Sequence, residues 1–323
     1  MEMKIAIIGC GLIGHKRAKL LDNVHIACDI NINAAKKLAN LFSNCIATNN
    51  IQDIVNSDVD VVFISVANSF LVPIASEIAT CGKHILLEKP GGINVNELIK
   101  LQNISNETKS LIRLGYNHRY HPACLKALEL IKQPEFGDIM FVRGRYGHGG
   151  RIGYDKEWRA NPSISGGGEL IDQGVHLIDL AGIFIGDFEI VSGHTQTYYW
   201  NMEVDDNAFI NLQNKSKNTA WLHVSCTEWK NTFSFEIYGK YGKLHWEGLG
   251  GSYGIEKLSH YQMLPEMGPP KTTIYEYPMG DNSWKLEMNE FFDDIKLNRQ
   301  PIPGLIEGIK TLKVVDTLYT KKL

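Results

Sequence analysis

Three side chains stand where proton and hydride chemistry would need them. Lys89 follows the run His84-Ile85-Leu86-Leu87-Glu88 and precedes Pro90, while Asp172 and His176 are spaced i, i+4 after Gly166-Gly167-Gly168. Histidine titrates near neutrality, so His176 could take a proton from an alcohol as hydride leaves the carbon. A carboxylate one helical turn away, Asp172, could orient that imidazole and stabilise its charged form. A lysine at the C-terminal end of a strand lies where ligands bind in open parallel sheets, and the residue before a proline is held extended. Each has a plainer reading when taken alone: a solvated lysine, and a buried Asp–His pair that only supports the fold. No third ligand at a recognisable spacing accompanies the pair, so no metal site is expected.

Hydride transfer needs an acceptor, and the start of the chain offers a place for one. Ile5-Ala6-Ile7-Ile8 reads as a strand and leads into Gly9-Cys10-Gly11-Leu12-Ile13-Gly14. In a dinucleotide-binding turn Gly9 permits the tight bend, Gly11 lets backbone approach a pyrophosphate, and Gly14 allows helix to pack on strand. The N–H groups around Leu12 and Ile13, at the helix N-terminus, suit phosphate. Glycines at this spacing are common, but Asp29 ends the next strand 20 positions after Gly9, where a carboxylate accepts hydrogen bonds from the adenosine ribose. It would repel a 2′-phosphate, and Ile30-Asn31-Ile32 supplies no arginine. NAD is therefore expected in preference to NADP.

The elements that must position these groups divide the chain in two. Residues 1–118 alternate short apolar runs (4–8, 24–29, 44–47, 60–65, 84–88 and 110–115) with helix-spaced segments. This predicts an α/β Rossmann domain, a doubly wound parallel sheet covered on both faces. Residues 119–323 change character: after a helix near 121–133 the pattern becomes strand after strand, at 138–146, 189–199, 207–212, 219–226, 233–238, 242–247 and 273–277. That predicts an α+β domain with a large open, mostly antiparallel sheet, closed by helices at 283–298 and 304–320. In 219–226, Ala220, Leu222, Val224 and Cys226 share one face, and Thr219, Trp221, His223 and Ser225 the other. Trp221, with other aromatics such as Trp200, then marks a second face that either helices or another subunit must cover.

Composition excludes several classes. The 323 residues are 44% hydrophobic and 21% charged with a formal net charge of −3, which gives no electrostatic case for nucleic acid or an anionic membrane. No apolar stretch approaches a membrane span, and Met1-Glu2-Met3-Lys4 has no signal-peptide character. Six cysteines without a C-x-x-C pair point to free buried thiols in a reducing cytoplasm.

Longer motifs carry a resemblance. Gly82-Lys83-His84-Ile85-Leu86-Leu87-Glu88-Lys89-Pro90, Gly115-Tyr116-Asn117-His118-Arg119-Tyr120 and the run from Gly166 through Asp172 and His176 to Leu180 together resemble the glucose–fructose oxidoreductase and inositol dehydrogenase (Gfo/Idh/MocA) family. The resemblance spans nearly the whole chain. It implies a Rossmann domain followed by an open sheet used for oligomerisation, and NAD(P)-linked chemistry at a secondary hydroxyl carbon of a sugar, cyclitol or nucleotide-sugar. It also implies that Lys89, Asp172 and His176 are catalytic, and that Glu88, Lys89 and Asn68 lie against the cofactor. Many members carry Thr-Pro-Asn followed by His after the fourth strand. Here Val66-Ala67-Asn68-Ser69-Phe70-Leu71 keeps only the asparagine.

The segment from Arg143 to Arg159 is rich in glycine, arginine and aromatics. Flat aromatic walls and multidentate polar groups suit sugar rings, which makes Tyr154, Trp158 and Arg159 candidate substrate contacts, with Asn117 and Arg119 approaching from the other side. A solvated surface loop is the plainer reading. The expectation is a cytoplasmic NAD-dependent oxidoreductase, a homodimer or homotetramer through the second sheet. Its rivals are an enzyme that recycles a tightly bound NADP, and a non-catalytic NAD sensor or assembly subunit.

Overall fold

The computed structural model describes residues 3–320. They form two compact units. The first comprises residues 3–116, 163–166 and 284–309; the second comprises 117–162, 167–283 and 310–320. The first unit's leading segment ends at Tyr116, and residues 163–166 and 284–309 belong to the same unit.

In the first unit six parallel strands run in the order β3-β2-β1-β4-β5-β6. They are β1 (Ile5–Ile8), β2 (Ile26–Cys28), β3 (Ile46–Thr48), β4 (Val61–Ile64), β5 (His84–Leu87) and β6 (Ile112–Leu114), linked by α1 (Leu12–Ala18), α2 (Ile32–Ala39), α3 (Gln52–Val55), α4 (Asn68–Thr80) and α5 (Val95–Thr108). β1 and β4 are buried throughout, as strands covered on both faces must be. The helices start on side-chain caps where the sequence supplies them. Asn31 Oδ1 accepts the Asn33 N–H at α2, and Asn94 Oδ1 accepts the Glu97 N–H at α5.

The second unit is an eight-stranded sheet in the order β14-β13-β12-β11-β7-β10-β9-β8. Its helices are α6 (Pro122–Leu130) and α8 (Val175–Ile185), while all but the first residue of the short α7 (Pro162–Ser165) belongs to the first unit. Its strands are β7 (Ile139–Gly147), β8 (Phe188–Gln196), β9 (Asn207–Asn214), β10 (Thr219–Ser225), β11 (Thr232–Gly239), β12 (Gly242–Glu247), β13 (Glu256–Gln262) and β14 (Lys271–Tyr277). All neighbours are antiparallel except β7 and β10. The expected alternation in β10 holds: Ala220, Leu222 and Val224 are buried, whereas Trp221 is 65% exposed. α8 packs on the inner face, where a Cβ at Gly144 of β7 would lie 3.3 Å from Leu177. Trp200 departs from the expectation. It lies beyond the end of β8, its indole Nε1 donates to the Cys226 carbonyl at 3.0 Å, and its ring covers Gly150 rather than the open sheet face.

Two long helices end the described chain, α9 (Ser283–Leu297) and α10 (Leu305–Thr320). From Trp284 onward α9 belongs to the first unit: Met288 and Phe291 are buried in its core with Ile7, Phe63 and Leu86, and Phe292 stacks on Phe63. A buried ion network adds direction to this packing. The fully buried Arg17 of α1 bonds Glu88 through Nε and Nη2 at 3.0 and 2.7 Å, meets Glu287 of α9 at 2.6 Å, and lies 4.3 Å from the Trp284 ring. Burial pushes the Glu287 carboxyl up to about 7; Arg17 opposes this and Glu88 adds to it.

Candidate active site

In the first unit the three motif glycines answer different needs. Gly9 has φ +92°, and a Cβ there would lie 2.3 Å from the Ser65 carbonyl oxygen. A Cβ at Gly14 would lie 2.0 Å from the Gly9 carbonyl. Both positions are thus closed to other residues by the protein's own backbone. At Gly11 a Cβ would meet nothing within 4 Å. Nothing in the fold demands glycine there, so the space it leaves is open to a ligand's phosphates. Helical bonding begins with the His15 N–H to the Gly11 carbonyl, so the N–H groups of Leu12, Ile13 and Gly14 precede the ladder. This donor set fits a dinucleotide.

Asp29 is more than a free strand-end carboxylate. Its Oδ2 accepts the Cys10 N–H and its Oδ1 the Asn31 N–H, both at 2.8 Å. The carboxylate braces the glycine turn, and each oxygen keeps a lone pair for a ribose hydroxyl. Asn68, at the start of α4, is buried and donates to the Ser165 carbonyl at 2.8 Å. Glu88 is turned to Arg17, so its carboxylate anchors the strand end from which the half-buried Lys89 follows. The Lys89–Pro90 peptide is cis.

In the second unit Asp172 and His176 occupy one continuous helical run, but its first part is not α-helical. Leu170–Gly174 forms a π-helical turn that passes into α8. Such turns recur at functional sites. Its start is held from outside. Asp205 accepts the Gly168 N–H at 3.0 Å and the Leu170 N–H at 2.8 Å with its carboxylate, and the Glu169 N–H at 3.0 Å with its carbonyl. The Tyr319 hydroxyl donates to the same carboxylate at 2.8 Å. A Cβ at Gly168 would lie 1.9 Å from the Asp205 carbonyl oxygen, and one at Gly167 2.2 Å from the Tyr319 hydroxyl. The triple glycine exists for this close approach. Burial pushes the Asp205 carboxyl up to about 6, against the hydrogen bonds that it accepts.

The two catalytic candidates are both buried, and each has a distinct neighbour. Arg159 Nε donates to Asp172 Oδ2 at 3.1 Å, and the Arg159 guanidinium lies 4.5 Å from the Trp158 ring. The His176 imidazole stacks on His118, ring centroids 3.9 Å apart and planes 19° from parallel. Among the expected substrate contacts, Arg159 is thus brought to Asp172, with the Trp158 ring against its guanidinium. Tyr154 is not an open aromatic wall: it is 3% exposed, and its hydroxyl donates to Glu169 Oε1 at 2.8 Å. His148 Nε2 lies 3.4 Å from the same oxygen. Burial lowers the His148 imidazole, but the Glu169 hydrogen bond and charge outweigh it and leave it raised. Asn117 and Arg119 also have protein partners. Asn117 Nδ2 donates to Ser283 Oγ at 2.8 Å, and Arg119 forms a bidentate pair with Asp179 at 2.7 and 2.6 Å.

Asp205, Tyr319, Glu169 and His118 were not legible as site residues in the sequence. The first three act through partners distant in sequence. His118 stands inside a motif singled out for its neighbours Asn117 and Arg119. Among the described residues no group of three or more metal-ligating side chains is found, and no helix is long and apolar enough to cross a membrane.

Comparison with known proteins agrees with this architecture. Levoglucosan dehydrogenase of Pseudarthrobacter phenanthrenivorans is 30% identical over 143 residues, 44% of this chain and 37% of that protein. An uncharacterized oxidoreductase of Rhizobium meliloti is 29% identical over 124 residues, 36% of its length. In both, the match spans little more than a third of the relative. Glucose-6-phosphate 3-dehydrogenase of Bacillus subtilis is 24% identical over 339 residues, with 98% of this chain and 96% of that one covered. A solved structure of levoglucosan dehydrogenase in complex with NADH shares the fold with a TM-score of 0.87 at 20% identity, over 99% of this chain and 96% of that one. Residues 3–116 match the model of an oxidoreductase family with an NAD-binding Rossmann fold, and residues 124–245 match the Gfo/Idh/MocA C-terminal domain. Both parts of the chain are thus accounted for by one family, and the protein belongs to the Gfo/Idh/MocA oxidoreductases.

Proposed function

We propose that this protein is an NAD-dependent dehydrogenase acting on a secondary hydroxyl of a sugar, cyclitol or nucleotide-sugar. The observation that carries the reading is the buried Asp172–His176 run, held at its start by Asp205 and paired through Asp172 to Arg159. A purely nucleotide-binding chain needs none of that machinery. When bound, NAD supplies the two-electron acceptor for the carbinol carbon. In the first unit Gly11 and the N–H groups of Leu12 and Ile13 would hold its phosphates and Asp29 its ribose, with Asn68 near the nicotinamide side.

In this reading His176 accepts the proton of the substrate hydroxyl, and Lys89 in the first unit is a hydrogen-bond donor to substrate. Asp172 stabilises the imidazolium, and Arg159 fixes Asp172. A carboxylate beside the imidazole favours its charged form, which is the form produced by oxidation. Trp158 offers an aromatic face beside Arg159 for a sugar ring. The relatives are named for levoglucosan, glucose 6-phosphate and inositol, which supports a polyhydroxylated ring as substrate.

The same reading makes the enzyme cytoplasmic, in keeping with its free cysteines. It also makes it a homo-oligomer through the open sheet face. There Trp221 stands exposed between Arg143 of β7 and Asn211 of β9, and the rings of Phe141 and Tyr238 stack at 4.2 Å. The discriminating experiment is NADH absorbance with a panel of cyclitols, free sugars and nucleotide-sugars. Substrate-dependent NADH formation by one member supports the reading. No turnover with any of them, together with unimpaired NAD binding, favours a sensor instead.

A further inference from the structure

The His118 ring stacks closely on that of His176. The centroids are 3.9 Å apart and the planes 19° from parallel. Both imidazoles are buried. His118 is clamped in turn by edge contacts with Tyr146 of β7 at 5.1 Å, Phe233 of β11 at 5.7 Å and His121 at 5.6 Å. Tyr146 also meets His176 edge-on at 6.1 Å. A ring held on several sides holds the ring stacked on it.

The stack has an electrostatic consequence as well as a steric one. Two imidazolium ions with centroids 3.9 Å apart in a buried site repel strongly, so the second proton is opposed by the first. The charged and titratable groups around the pair come from several elements. Asp172 lies one turn before His176, and its own partner is Arg159. Asp179, one turn after His176, is paired with Arg119. The Tyr146 phenol is held neutral, chiefly by burial and then by its Tyr253 neighbour. Beyond His118, the His121 ring is faced by Glu256 of β13 at 2.8 Å and by Asp281 at 3.9 Å.

We propose that His118 is a positioning residue for His176: its stacked ring fixes the His176 imidazole plane and confines the pair to at most one proton across the neutral range. A substrate proton then enters His176 only while His118 is neutral. The proposal rests on the dehydrogenase reading only for the source of that proton. The stack and its titration are properties of the protein alone.

The test is histidine ring NMR on the full chain, titrated over about pH 5 to 8 and beyond, with no substrate added. In the wild type His118 and His176 should share a two-step curve, with the steps separated by about one pH unit or more. In His118→Phe, which keeps an aromatic stack but no ring nitrogen, His176 should titrate in one step. Kinetics supply the second arm. His118→Ala should lower turnover by about tenfold with the NAD KM unchanged, and His118→Phe should restore most of the loss. A single-step or absent His176 titration in the wild type overturns the proposal, as does a His176 curve that His118→Phe leaves unchanged. The wild-type curve needs no variant to fold. Failure of the dehydrogenase reading shows separately, as no NADH formation by the wild type with any member of the substrate panel.

Discussion

Arg159 Nε donates to Asp172 Oδ2 at 3.1 Å, so the carboxylate one turn from His176 is itself held by a guanidinium from the glycine- and arginine-rich loop. The Arg159 pKa is raised: burial lowers it, but the Asp172 charge and hydrogen bond outweigh that. Arg159 therefore tunes Asp172. Arg159→Leu should cut kcat/KM by about tenfold, which corresponds to about 1.4 kcal/mol of transition-state stabilisation. Arg159→Lys should recover part of this, because lysine supplies the charge without the planar donor fork. Steady-state kinetics of both variants on the substrate check this; wild-type values for Arg159→Leu contradict it.

The glycine turn separates a folding role from a binding role. Gly14→Ala should cost about 1–3 kcal/mol through overpacking against the Gly9 carbonyl and lower Tm. Gly11→Ala should leave Tm unchanged, since nothing lies within 4 Å of the added methyl, and weaken NAD binding by about tenfold or more. Differential scanning calorimetry and titration calorimetry read the two effects independently. The same titration should find NAD tighter than NADP in the wild type, as Asp29 requires.

The Arg17–Glu287 contact predicts a pH dependence of stability. The folded Glu287 carboxyl, pushed up to about 7 mainly by burial, binds its proton more tightly than the ordinary value of 4.5 in an unfolded chain. The native state holds the extra proton between those limits, so this group's contribution to stability falls as pH rises from about 4.5 to about 7. Glu287→Gln removes the titration and should flatten that part of the profile. Thermal unfolding of wild type and variant at several pH values measures it; parallel profiles would refute the assignment.

What the sequence disclosed and what it hid have physical causes. Strands β1, β2, β4 and β5 were legible because a doubly covered parallel sheet demands apolar runs, and Ile5-Ala6-Ile7-Ile8 or His84-Ile85-Leu86-Leu87 can be little else. Strand β13 went unread. Its buried set includes Glu256, Ser259 and His260, so no apolar alternation marks it. The i, i+4 spacing of Asp172 and His176 is visible in one dimension, but the π-helical turn depends on Asp205 and Tyr319, which lie 37 and 151 positions from Gly168. α9 reads as an amphipathic helix from either side. Tertiary contacts such as the pairing of Arg17 with Glu287 and the burial of Met288 and Phe291 assign it to the first unit.

The open sheet face makes a prediction about assembly. Trp221 is 65% exposed and flanked by Arg143 and Asn211, and burying such a side chain is worth about 1.5–3 kcal/mol. Light scattering at micromolar concentration should give the mass of a closed-symmetry dimer or dimer of dimers. Trp221→Asp should shift it toward monomer. A monomeric wild type, or a variant that assembles equally well, contradicts the interface.

The central claim is that His176 handles the substrate proton while the first unit binds the nucleotide without it. The direct measurement is turnover and NAD affinity of His176→Ala on the substrate identified by the panel. The account predicts turnover reduced by about 10²–10⁴-fold with the NAD Kd of the wild type. Wild-type turnover in that variant, or a loss explained wholly by weaker NAD binding, would contradict it.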